Sequence, residues 1–348
     1  MSLSVHIRKR MGDFHLSVDL EHPEGITGIL GASGCGKSTA LKAVAGIVKP
    51  DEGRIVLDGK VLYDSEKKIC LRPQEREVGY LFQNYALFPN MTVEKNILCG
   101  LHREKDRRRR REKMEEILER MDLSGQRRQY PHQLSGGQQQ RTALARILVS
   151  SPKLLLLDEP FSALDAYLRE QLQSQVKEIL GRFGRDVLLV SHSRDEIYDL
   201  CGRTAVMYQG RILKESGTKE LFADPGTRAG AALTGCKNIA DARKTGDYEV
   251  EVPAWGVRLC TAQPVGENVC AVGLRAHYFH PKARENRFPV VYVSGREEPF
   301  EMRILFRFAG QQEGSPDLWW RIPKDRAPGV MPEKLGISPK NVLLLYPE

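Results

Sequence analysis

Along the first two-thirds of the chain, apolar residues come in short unbroken runs. These lie at residues 25–30 (GITGIL), 78–82 (VGYLF), 154–157 (LLLL) and 187–190 (VLLV), with helix-like segments between them. Runs without alternation, separated by helices, predict a parallel sheet covered on both faces. Ligands of such sheets bind at the carboxyl ends of the strands. Between residues 93 and 151 the pattern is helical and highly charged, with REKDRRRRREK leading into MEEILERMDL. This stretch reads as an exposed helical subdomain. After about residue 225 the character changes. DYEVEVP, VRLCT, VCAVGLRA, FPVVYV, FEMRILFRF, DLWWRIP and NVLLLYP are short strand-like runs broken by Gly, Pro and charged turns. They predict a small all-β barrel or sandwich. The expected organisation is therefore an α/β domain over 1–228, with its helical subdomain at about 93–151, and a β-rich accessory domain over 229–348.

Composition narrows the class only a little. A chain of 348 residues is comfortable for two domains. No run approaches the roughly 20 apolar residues that span a bilayer, and MSLSVHIRKRMGDF has positive charge but no apolar run behind it, unlike a secretory signal. The 7 cysteines show no CxxC spacing, which suits free thiols in a reducing compartment. The net charge of +8 selects no partner by itself. No aromatics interleave the five consecutive arginines, so they read as a solvated helix face and no nucleic-acid partner is expected.

The chemistry lies in three motifs. GASGCGKST at 31–39 follows a strand and opens a helix, the context a P-loop requires. Gly31, Ser33, Gly34, Cys35 and Gly36 let backbone N–H groups wrap phosphates at a helix start, with Ser38 and Thr39 completing the turn. Lys37 can reach the β- and γ-phosphates of ATP, and the Ser38 hydroxyl can coordinate Mg²⁺. LLLLDE at 154–159 then delivers Asp158 to the metal and places Glu159 at the strand's mouth, where it can polarise a water. Finally LSGGQ at 134–138 makes Ser135, Gly136, Gly137 and Gln138 a second anion-binding helix start.

LSGGQ some twenty residues before LLLLDEP, with Gln83 in FQNYALFP, SALD at 162–165 and His192 in VSHSRDE, resembles the ABC ATPase family. The resemblance implies a head-to-tail pair of identical subunits sandwiching two ATP molecules. In it, Ser135, Gly136 and Gly137 would meet the γ-phosphate held by the partner's P-loop, His192 would contact that phosphate, Gln83 would sense metal and water, and Asp165 would couple the two sites. One element departs from the family pattern. An aromatic side chain usually stacks on adenine from the first strands, whereas here Arg10 or Met11 stands there, and Phe14 is expected to face the core.

Within the family, DGKVLYDSEKKICLRPQEREVGYLFQNYALFPNMTVEKNI looks like importer ATPases for molybdate, with sulfate importers close behind. WWRIP and NVLLLYP resemble the end of a molybdate-binding barrel. This implies a subunit peripheral to the cytoplasmic face of the membrane, bound to integral permease subunits and served indirectly by an extracytoplasmic binding protein. Leu87 and Phe88 fit either a permease docking cleft or ordinary core packing. The cargo reading is molybdate or tungstate, with sulfate, thiosulfate, iron or polyamine as alternatives. A non-transport ABC ATPase acting on nucleic acid fits less well, since no long coiled coil or second cassette is present.

Overall fold

The computed structural model describes residues 3–162, 166–184 and 186–348. The chain divides into two compact units, Met1–Thr218 and Lys219–Glu348.

The first unit is organised on one 11-stranded sheet. Its strands are β1 (Leu3–Met11), β2 (Phe14–His22), β3 (Ile26–Leu30), β4 (Glu52–Leu57), β5 (Lys60–Asp64), β6 (Ile69–Cys70), β7 (Val78–Leu81), β8 (Leu154–Asp158), β9 (Asp186–Ser191), β10 (Arg203–Tyr208) and β11 (Arg211–Gly217). They lie in the order β6-β5-β4-β1-β2-β11-β10-β3-β9-β8-β7. The five strands from β10 to β7 run parallel, as the unbroken apolar runs predict. All residues of β8 and β9 are buried. Each of the four β8 leucines contributes about 2 kcal/mol by leaving water, so the strand is a fixed platform for the acids at its end. The other half of the sheet is antiparallel. There β1 and β2 alternate, with Leu3, Val5, Ile7, Leu16, Val18 and Leu20 inward, the signature of a sheet with one wet face.

The helices are α1 (Lys37–Ala45), α2 (Val93–Gly100), α3 (Arg107–Arg120), α4 (Gly136–Leu148), α5 (Ala166–Phe183) and α6 (Arg194–Leu200). The expected helical subdomain is α2 to α4, packed on its own core of Val93, Ile97, Met114, Leu118 and Leu134. Arg76, which is 1% exposed, closes the end of α1: it donates to the carbonyls of Ala43 (2.8 Å) and Val44 (2.9 Å), putting a cation at the negative end of the helix dipole. Among the described residues no helix is long and apolar enough to cross a membrane.

The second unit is β-rich, as its sequence pattern predicts. It adds two short helices, α7 (Thr218–Ala223, beginning at the boundary) and α8 (Arg228–Leu233), and ten strands, β12 to β21, between Asn238 and Leu345. The strands form three small antiparallel sheets round Trp255, Leu274, Phe306 and Trp320. The side chain of Asn238 substitutes for a missing strand neighbour: its amide donates to the carbonyls of Leu274 and Trp319 and accepts from the Trp319 N–H. The unit begins at Lys219, some ten residues before the expected boundary between 228 and 229. The turn at Gly226 is tied to the chain's end by the Tyr346 N–H (2.8 Å), and Arg275 binds the Phe222 carbonyl.

Candidate functional site

The carboxyl ends of β3, β7, β8 and β9 meet at one edge of the parallel half-sheet. After β3 the chain makes the glycine turn and enters α1. Gly36 has φ 107°, and a Cβ there would lie 2.7 Å from Leu16 Cδ1 and 3.2 Å from the Phe14 ring, so the turn needs glycine on both counts. Lys37, 3% exposed, folds back over the turn. Its Nζ donates to the carbonyls of Gly31 (2.9 Å) and Ala32 (3.0 Å) and lies 3.5 Å from Glu159 Oε1. The Ser38 hydroxyl donates to Asp158 Oδ1 at 2.6 Å. Cys35 is buried, its sulfur beneath Gly31, and burial raises its thiol pKa. Only its backbone is therefore available to a phosphate.

β8 sits between β7 and β9. Asp158 spends its second oxygen on the Tyr80 hydroxyl of β7, also at 2.6 Å. Burial, and then the carboxylate it donates to, push the Tyr80 pKa up. Glu159 takes a left-handed φ of 45°, a conformation costing about 1–2 kcal/mol for a residue with a Cβ. Its N–H donates to the Val190 carbonyl, and its own carbonyl accepts from Ser162. The strain turns its carboxylate out of the strand line. There Oε2 lies 3.2 Å from His192 Nδ1, just beyond the end of β9. One carboxylate thus stands between a buried ammonium and an imidazole.

Gln83 lies two residues beyond β7, exposed at the same edge. The loop after it is braced from three sides. Tyr85 donates to the Pro160 carbonyl (3.3 Å), and Gln140 of α4 donates to the same atom (3.1 Å). Arg146 of α4 holds the carbonyls of Tyr85 and Ala86. Buried Asn96 accepts from the Phe88 N–H and donates to the Phe88 and Met91 carbonyls. Phe88 itself is 46% exposed, with the Arg146 guanidinium 5.4 Å from its ring centre; it is not a core residue.

Ser135 caps α4. Its hydroxyl accepts from the Gln138 N–H while the Gln138 side chain accepts from the Ser135 N–H, the reciprocal capping box. Gly137 packs on Leu172 of α5. Among the described residues no hydrogen bond links this turn to Lys37, Ser38, Asp158, Glu159 or His192. Asp165 falls outside the described residues. Arg10 is engaged locally, through Gly12 and Asp51, while Met11 is 36% exposed and Phe14, half-buried, leans on the glycine turn as well as the core.

The ABC transporter family description matches residues 15–162. The chain is 40% identical over 306 residues to an Fe(3+) ions import ATP-binding protein of Pectobacterium atrosepticum, spanning 86% of this chain and 85% of that one. The chain belongs to the ABC transporter family. Its identity to a molybdenum import ATP-binding protein of Paramagnetospirillum magneticum is 37% over 226 residues, 65% of this chain and 62% of the relative. Among solved structures, a dimeric ATP-binding cassette in a post-hydrolysis state with ADP and Pi bound is 28% identical with a TM-score of 0.53, covering 63% of this chain and 99% of that one. This ABC protein is an ATPase of the import type. Tyr80, Tyr85, Asn96, Gln140 and Arg146, which hold its sheet edge and the loop after Gln83, were not singled out from sequence; an aromatic in an apolar strand or an Asn in a helix carries no distinguishing pattern.

Proposed function

We propose that this subunit hydrolyses ATP between two copies of itself to drive import of a small oxyanion, molybdate or tungstate in the first reading. The observation that carries the catalytic part is Glu159 held between Lys37 and His192 beside the Ser38–Asp158 pair. The turn at 31–39 binds the phosphates through its N–H groups. Lys37 exchanges its ion pair with Glu159 for the γ-phosphate, which frees the carboxylate to orient the attacking water and accept its proton as ADP leaves. His192 then steadies the γ-phosphate. The oxygens of Ser38, Asp158 and Gln83 are a hard donor set, suited to Mg²⁺, a cation that takes few protein ligands and completes its shell with phosphate and water. When bound, the metal would neutralise developing phosphate charge.

The partner copy would supply Ser135, Gly136, Gly137 and Gln138, with Asp165 relaying between sites. Permease subunits would dock beside Leu87 and the exposed Phe88, placing the protein at the cytoplasmic face of the membrane. Residues 229–348 would serve as an accessory regulatory domain. A second reading of the cargo, sulfate or ferric ion, has its own support: alignments of 270 residues with a sulfate/thiosulfate import relative and of 306 residues with the ferric one are longer than the first unit and so run into the second, whereas 226 residues need scarcely do so. Uptake of labelled molybdate, sulfate and ferric ion in cells lacking this chain tests the assignment. Loss of molybdate uptake alone supports the first reading; loss of sulfate or of ferric uptake alone replaces it with the second and names the ion.

A further inference from the structure

Helix α3 carries its charge against its own dipole. Helices favour acids at the start and bases at the end. Here Arg107, Arg108, Arg109, Arg110 and Arg111 fill the first turns; Glu112, Glu115, Glu116 and Glu119 follow, with Lys113 among them and Arg120 alone placing a base in the last turn. Asp106 caps the helix by accepting from the Arg108 and Arg109 N–H groups. Arg108 pairs with Glu112 at 2.8 Å, and Arg109 reaches Asp106 only at 3.9 Å. Among the described residues, no ion pair or hydrogen bond holds Arg107 or Arg111. Arg110 leans on the Leu98 carbonyl while its Nε is buried without a partner.

These cations share a concavity. Arg107, Arg110, Arg111 and Arg127 line a groove of about 430 Å³ between α2 and α3. Its acid, Glu94, is already gripped by Arg127 through two contacts of 2.8 and 3.1 Å, and that grip lowers the Glu94 pKa. Exposed Arg103 and Lys105 extend the patch just before the helix. Surplus positive charge on a positive helix end is a standing cost that an anion would relieve.

We propose that the start of α3 and this groove bind the phosphate groups of anionic lipids, holding the helical subdomain against the bilayer surface. A patch of cations spread across a shallow groove can engage several headgroups at once. No aromatic platform accompanies it, as single-stranded nucleic acid would require. The proposal rests on the importer reading only in that such a subunit works beside a membrane.

The test is cosedimentation of the full chain with vesicles of phosphatidylcholine, alone or with one third phosphatidylglycerol. Replacing Arg107, Arg108, Arg109 and Arg111 with Ala leaves Arg110 in place against α2. A control replaces Lys324, Arg326, Lys334 and Lys340, exposed cations of the second unit, and so removes the same charge elsewhere. The wild type should bind only the anionic vesicles and release them with salt. The arginine variant should lose on the order of 1,000-fold in affinity, at about 1 kcal/mol for each of the four cations, while the control loses no more than a few-fold. ATP turnover in solution should be equal in all three, so a fault in the ATPase reading would show separately. Equal losses in the two variants would reduce the effect to net charge and overturn the proposal. So would equal binding to both vesicles, or an arginine-dependent affinity for inorganic phosphate or an oligonucleotide without vesicle binding.

Discussion

Two glycine-bearing helix starts in the first unit have opposite surroundings. The turn into α1 is walled by its own chain: Lys37 is buried, Ser38 is bonded to Asp158, and Glu159 and His192 stand over it. The turn into α4 is exposed at Ser135 and satisfies itself with a capping box. Both have the dipole and the N–H groups to meet a phosphate. Only the first has acids, a base and a metal-suited pair within reach. A helix start with no acid, base or metal-suited pair beside it in its own chain is what the proposed two-copy site requires of the turn before α4, and the contrast is what that proposal rests on.

Substitutions can break that contrast. The largest effect is expected at Glu159: Glu159→Gln should cut steady-state turnover about 10²–10⁴-fold, the range for a lost general base, while ATP binding measured by calorimetry persists. Turnover near wild type would remove Glu159 from its role. Next, Gly137→Asp puts a negative charge into the turn that Ser135 caps, at a buried position, and should abolish ATP-dependent dimerisation by light scattering, with at least about 100-fold lower turnover, given like charges in a partly dry site. Because a Cβ there would come 2.7 Å from Leu172 Cδ2, Gly137→Ala serves as the packing control. Dimer formation by Gly137→Asp in a Glu159→Gln background would sink the shared-site idea.

Lys37→Ala should weaken ATP binding about 10–150-fold, the value of a charge-assisted hydrogen bond, again by calorimetry, with the fold intact by circular dichroism. Tyr80→Phe keeps the ring and loses only the donor to Asp158. A hydrogen bond to a carboxylate is worth about 1.5–3 kcal/mol, so turnover should fall about ten-fold, the lower end of that range, mainly through the metal concentration needed for half activity. The smallest expected change is Ser135→Ala, about 1 kcal/mol of stability from the lost cap, read as a lower denaturation midpoint. A large loss of stability there would mean the turn carries structural weight that its exposure does not suggest.

Much of the candidate site around the turn at 31–39 was legible because its chemistry is local in sequence. A strand, a glycine turn and Lys37-Ser38 are contiguous, and Asp158-Glu159 end an unmistakable apolar run. The antiparallel wing was not legible as part of the same sheet. β1 and β2 alternate clearly, but their junction with the parallel half runs through β11, whose link to β2 is a single pair, Arg211 with Ser17, and nothing local predicts that. Tyr80 was hidden because its strand is equally apolar on either side, so only the neighbouring β8 reveals which face meets Asp158. Cys35 was read by position in its loop, and three-dimensional packing turns its side chain away. The arginine run was visible, but the mismatch with the helix dipole became concrete only once Asp106 was fixed as the first capping residue.

The Pro160 carbonyl receives both Tyr85, from the loop after Gln83, and Gln140, from the helix that Ser135 caps. The acceptor is main chain, so it does not depend on the chemistry of the side chain at position 160, which is itself buried. In mutational terms the joint is robust at its centre and fragile at its arms. A replacement at 160 that fits the buried space would keep the joint, whereas loss of the donor at 85 or 140 would release the loop or the helix from the strand that ends in Asp158.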